Sequence, residues 1–109
     1  RILVYGSGLR YRAFRRELVR QYLTNNRLVV GFIDDNVYLR GKYIGGLKVF
    51  GSINEAPRII ARTGAEAVVI TCLMTPEWEA VVKKILEPTG VGISRFMFSE
   101  QEIAKGNKK

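Results

Sequence analysis

Two glycines and a pair of carboxylates carry the chemistry open to this sequence. Gly6-Ser7-Gly8-Leu9-Arg10 follows a short apolar run, Ile2-Leu3-Val4-Tyr5, and leads into a helical pattern. Backbone amides at such a turn, together with a helix N-terminus, can receive a phosphate. Gly6 permits the tight turn, and Gly8, lacking a Cβ, lets a phosphate approach the backbone. The second component is Asp34-Asp35-Asn36, which closes the apolar run Leu28-Val29-Val30-Gly31-Phe32-Ile33. An acidic residue at the end of a second strand accepts hydrogen bonds from ribose hydroxyls, and Asp34 or Asp35 stands where that group belongs. The same three residues also satisfy a plain turn. A third component is Thr71-Cys72, at the end of the run Ala67 to Ile70. It lies at the mouth of the same site if that run lies beside the first. At the third glycine position of the dinucleotide fingerprint the chain has Tyr11. A glycine there lets the helix pack closely on the strand, so Tyr11 predicts a shifted helix.

Other chemistries are excluded by composition. The 109 residues contain no histidine, which removes the usual general base, the Ser-His-Asp and Cys-His arrangements and most zinc sites. Cys72 is the only cysteine, so no internal disulfide forms, and without a histidine to activate it a nucleophilic role is disfavoured. Tyr38 and Lys42 have the Tyr-x-x-x-Lys spacing of short-chain dehydrogenases. That pair needs a helix to bring both side chains to one face, and Gly41 with its flanking turn residues argues against one. Lys and Arg outnumber Asp and Glu by 18 to 10, a net charge of +8 that favours anionic partners. The basic residues form no recognisable nucleic-acid reading motif.

The elements that must position these residues alternate strand and helix. The expected first helix, Arg10 to Leu23, carries an apolar stripe at Tyr11, Phe14, Leu18 and Tyr22, with Arg12, Arg15, Arg16 and Arg20 as a basic flank. That flank reads as a solvated face or as a contact for an acidic partner or membrane surface. Thr24-Asn25-Asn26 breaks the helix. Tyr38 to Gly46, with three glycines, predicts an ordered loop or small hairpin leading to an edge strand, Leu47 to Phe50. Ser52 and Glu55 form a capping box for a helix running to Thr63, with Gly64 as its stop.

Ala67 to Thr71 is the next long strand, and right-handed crossovers place it on the other side of the first. Thr75-Pro76-Glu77 opens a further helix whose Trp78, Val81, Val82 and Ile85 are expected to face the sheet. Gly90 to Met97 is the last strand, and a short helix with a frayed basic end is expected over Gln101 to Lys109. The sum is α/β: one Rossmann-like three-layer sandwich over 1–109, with a mostly parallel, doubly wound sheet of about five strands in the order 3-2-1-4-5. Arg1 stands directly before a strand and reads as the edge of an excised segment of a longer chain.

The ordered set YGSG, VVGFIDDN, LRGKYIGGLKVFGS and AVVIT resembles the Rossmann-like, CoA-binding-like domain of bacterial membrane polysaccharide-biosynthesis proteins. These include nucleotide-sugar 4,6-dehydratases and polyprenyl-phosphate sugar-phosphate transferases. The matching positions are Gly6, Gly8, Gly31 to Asp35, Arg40, Gly41, Ile44, Gly46, Val49 and Gly51, and the departure is Tyr11. The resemblance implies a domain on the cytoplasmic face of the inner membrane, part of a larger membrane-embedded protein. It further implies NAD(P) or a UDP-sugar bound through Gly6 to Gly8 and Asp34 or Asp35, with catalysis elsewhere in the parent. The competing expectation is an interaction or homodimerisation module in which Tyr11 fills a degenerate nucleotide site.

Overall fold

A computed structural model describes residues 1–20, 28–96 and 100–106; for Leu9, Arg10, residues 17–20 and Glu100 it describes the backbone alone. Leu18, Tyr22, Arg20 and the Thr24 to Asn26 break, read above as stripe, flank and stop, lie outside the described side chains or residues, as does the tail from 107.

The apolar runs become strands because their β-branched side chains pack on both faces of a pleated sheet. β1 (Ile2–Tyr5), β2 (Val29–Ile33), β4 (Leu47–Gly51), β5 (Ala67–Ile70) and β6 (Gly92–Phe96) are parallel neighbours. Two short antiparallel strands, β3 (Tyr43–Ile44) and β7 (Glu100–Ala104), flank them, giving the order β3-β4-β2-β1-β5-β6-β7. The five inner strands follow the expected 3-2-1-4-5 order. The Leu47 run is second from the edge because the Gly45-Gly46 turn folds β3 back onto it. The expected C-terminal helix is instead β7, paired with β6 through Ser94 opposite Glu102 and Phe96 opposite Glu100.

Alternation along the strands separates two cores. Ile2, Val4, Phe32, Val49 and Val69 face α1 (Leu9–Arg20), which contributes buried Tyr11 and Phe14. Leu3, Tyr5, Ile33, Val68 and Ile70 face α2 (Ala56–Thr63) and α3 (Pro76–Leu86), which contribute Ile59, Ile60, Val82 and Leu86. Helix α2 stops at Gly64, which takes φ +69°, and α3 starts at Thr75, whose side chain accepts the Trp78 amide. Of the four positions expected to face the sheet from α3, Val82 is buried and Ile85 half-buried, whereas Trp78 is 38% and Val81 45% exposed. The buried stripe is Val82 and Leu86, with Trp78 one turn earlier at the rim.

Glu55 ties the hairpin to α2. Its carboxylate accepts from the Ser52 amide at 3.0 Å, from Arg40 Nη1 at 2.9 Å and from Arg58 Nη2 at 2.8 Å. The carboxylate lies over Gly51, where a Cβ would stand 2.3 Å from Glu55 Oε2. The Ser52 amide, reinforced by the Arg40 and Arg58 guanidiniums, holds the Glu55 carboxyl below its ordinary value of 4.5. A carboxyl whose folded value is depressed adds stability above its unfolded value and loses it as pH falls through the folded one. Glu55→Gln keeps an oxygen for the Ser52 amide but loses the charge paired with Arg40 and Arg58, so it is expected to cost about 0.5–1 kcal/mol at neutral pH. In urea titrations its deficit relative to wild type should shrink as pH drops below 4.5.

Candidate functional site

The carboxyl ends of β2, β1 and β5 meet at Gly6. Its amide donates to the Ile33 carbonyl at 2.9 Å, and the Thr71 amide donates to the Tyr5 carbonyl at 2.9 Å. The Thr71 hydroxyl, 1% exposed, lies 2.9 Å from the Gly6 carbonyl and 3.1 Å from that of Tyr5. Gly6 takes φ +105°, and a Cβ there would lie 2.9 Å from Thr71 Oγ1 and 3.0 Å from the Cys72 backbone nitrogen. Thr71 and Cys72 thus hold the turn from behind.

Asp34 holds it from the side. Its Oδ2 accepts from the Ser7 amide at 3.1 Å and the Ser7 hydroxyl at 2.8 Å, and its Oδ1 accepts from the Asn36 amide at 2.9 Å. Asp35, one residue on, points to the opposite side of the chain. It accepts from the Tyr5 hydroxyl and from the Ile53 amide, the latter at 2.9 Å, while Trp78 Nε1 donates to the Tyr5 hydroxyl at 3.2 Å. Burial, then the hydrogen bond to Asp35, pushes the Tyr5 phenol far above its ordinary value. The two adjacent carboxylates have separate tasks: Asp34 braces the glycine turn, and Asp35 joins β1 to the start of the α2 segment.

Gly8 differs from Gly6. Its backbone is outside the left-handed region, and a Cβ built on it would meet nothing within 4 Å. Its carbonyl accepts the Tyr11 amide at 3.1 Å, opening α1, whose first turn has no acidic residue to offset the positive end of the helix dipole. The amides ahead of Tyr11, those of Leu9 and Arg10 among them, have no intrahelical acceptor. In front of Ser7 and Gly8 opens a cleft of about 720 Å³ bounded by α1 and the β3–β4 hairpin. Tyr11, Arg12, Arg15 and Arg16 line its helix side, Ile44 and Gly45 its hairpin side.

Tyr11 occupies the third fingerprint position without filling this cleft. Its ring packs edge-on against Phe32 at 4.6 Å between centroids, so the helix stands off β2 by an aromatic ring. Burial raises the Tyr11 phenol above its ordinary value, with the Arg15 charge acting the other way. The sequence placed Arg12, Arg15 and Arg16 on a basic flank; the signal that they line a site is their spacing of three and four residues, in phase with one another beside Tyr11.

Cys72 is half-buried beside the turn. Burial, with the Asp35 and Asp34 charges adding to it, pushes its thiol up to about 11. The neutral thiol therefore dominates at pH 7, and alkylation by iodoacetamide is expected to be far slower than for a free thiol and to climb as pH rises toward 11. A fast reaction at pH 7 would contradict this environment. Among the described residues no group of three side chains is arranged to hold a metal ion.

The fold is similar to three solved structures. The crystal structure of UDP-D-quinovosamine 4-dehydrogenase from Vibrio fischeri aligns with a TM-score of 0.75 at 16% identity, over 94% of this chain and 92% of that one. RSP, a Rex-family repressor, aligns with a TM-score of 0.68 at 19% identity, over 88% of this chain and 44% of that one. RSP in complex with β-NADH aligns with a TM-score of 0.67 at 18% identity, over 88% and 45%. No protein-family model and no curated protein sequence matches the chain. At these identities the likeness shows the fold, a Rossmann-like doubly wound sheet.

Proposed function

We propose that this domain binds a nucleotide through the Gly6–Gly8 turn, as an accessory or regulatory module whose parent acts in polysaccharide biosynthesis. The observation that carries the binding reading is Gly8. Neither its backbone conformation nor its packing demands glycine, yet the space a side chain would take opens into the cleft. A diphosphate suits the place: the first amides of α1 have no intrahelical acceptor, the helix dipole favours an anion, and arginines line the cleft wall. The cleft volume of about 720 Å³ is within the range of small-molecule and cofactor sites. Likeness to RSP, crystallised with β-NADH, favours a nicotinamide dinucleotide, and likeness to a UDP-sugar dehydrogenase keeps a UDP-sugar in the set.

In this reading Asp34 acts chiefly by presetting the loop, since both of its oxygens already accept hydrogen bonds from the loop or its own turn. Asp34→Ala frees Ser7, and titration calorimetry with nicotinamide dinucleotides and UDP-N-acetylglucosamine should show affinity reduced by about tenfold, or about 1.4 kcal/mol. Unchanged affinity for whichever ligand binds wild type would overturn the presetting role.

A further inference from the structure

The cleft does not end at the phosphate turn. It continues from Ser7 and Gly8 along α1 to the hairpin turn at Gly45, and three exposed guanidiniums border it. Arg12, Arg15 and Arg16 lie on one helix face, and helical side chains lean toward the helix N-terminus. Arg12 therefore reaches back to the level of the glycine turn. Arg15 and Arg16 lie one turn, about 5.4 Å, deeper along the axis. None of the three is ion-paired with a described carboxylate, and no acidic side chain lines the cleft among the described residues. One diphosphate against the first-turn amides leaves most of this charge unanswered.

A second observation concerns the ribose. A ribose with both hydroxyls free calls for a carboxylate acceptor at the end of β2. Asp35 is turned to Tyr5 and Ile53, and Asp34 is held by Ser7 and Asn36. The groups that face the cleft are guanidiniums, whose planar fork matches a phosphomonoester bidentately. Tyr11 and Ile44 supply apolar wall against which a sugar or base can rest.

We infer that the ligand of this site carries a second phosphate, a monoester on its ribose, seated by Arg12 and Arg15 beside the glycine turn. The inference rests on the nucleotide reading above. Its ligand class is a ribose-phosphorylated adenosine diphosphate, which has two common sources: the 2′-phosphate of NADP and the 3′-phosphate of coenzyme A.

Titration calorimetry at fixed ionic strength with NADP, NAD, coenzyme A and dephospho-coenzyme A separates the sources. One phosphorylated ligand should bind at least tenfold tighter than its dephosphorylated counterpart. In the Arg12→Gln/Arg15→Gln double variant that ratio should fall to about one. In Arg62→Gln, which alters an exposed arginine of α2 on the opposite face of the sheet, it should persist. A ratio near one in the wild-type protein, or a ratio that survives the double variant, overturns the second-phosphate site. Binding of NAD or dephospho-coenzyme A in those cases still supports the glycine-turn reading. Failure of all four ligands to bind overturns the second-phosphate site, and failure of UDP-N-acetylglucosamine as well, titrated alongside, overturns the glycine-turn reading too.

Discussion

Gly6→Ala is expected to destabilise the domain by about 3 kcal/mol, a large share of the 5–15 kcal/mol typical of a single domain. Two costs combine. A side chain at φ +105° is strained by about 1–3 kcal/mol. The new methyl would also stand 2.9 Å from Thr71 Oγ1 and 3.0 Å from the Cys72 nitrogen, an overpacking of similar size. Relief is blocked because Thr71 is 1% exposed and bonded to both the Tyr5 and Gly6 carbonyls. Moving it would break the joint between β1 and β5. Urea unfolding should show the midpoint reduced at unchanged slope; a loss under 1 kcal/mol would mean that the turn relaxes without cost.

Gly8→Val, two residues on, should do the opposite. Beyond its two chain neighbours, nothing lies within 4 Å of the position its Cβ would take, so the fold tolerates it. The cost to α1 is about 1 kcal/mol, because valine is a poorer N-terminal residue than glycine. Nucleotide affinity should fall by about a hundredfold, close to 2.7 kcal/mol, because the isopropyl group occupies the approach to the first-turn amides. The two glycines thus separate stability from binding: Gly6→Ala should damage the fold, Gly8→Val the site. Retention of wild-type affinity in Gly8→Val would place the phosphate elsewhere.

Much of the frame could be read from local pattern. The runs at Ile2, Leu28 and Ala67 are continuous and β-branched, the signature of strands buried on both faces, and right-handed crossovers fix their order. Ser52 with Glu55, Gly64, and Thr75 with Pro76 marked helix ends that the structure keeps. What escaped the sequence depended on distant partners. The segment Glu100–Ala104 contains residues that favour helix in isolation, yet it becomes a strand because β6 offers an open edge. Leu86 was missed because helical period does not reveal how far around α3 the sheet reaches, and Val81 falls just outside that arc.

The candidate site divides in the same way. The glycine turn and the acidic pair are local signals, and their spacing was visible. Which carboxylate braces the turn was not, because consecutive residues leaving a strand point to opposite sides and only the register with β1 decides between them. Tyr11 led to the expectation of a shifted helix. Its packing on Phe32, which leaves the cleft open, follows from the pairing of Val4 with Phe32 across the sheet.

The most direct test of nucleotide binding at the Gly6–Gly8 turn is thermal unfolding of wild type and Gly8→Val at fixed salt, with and without NAD, NADP, coenzyme A and UDP-N-acetylglucosamine. A ligand present at one hundred times its dissociation constant stabilises the folded state by about 2.7 kcal/mol, several degrees for a domain of this size. Binding at the turn should give such a shift for wild type with at least one of these ligands and lose it in Gly8→Val. A wild-type midpoint unmoved by all four, or an equal shift in both proteins, would contradict it.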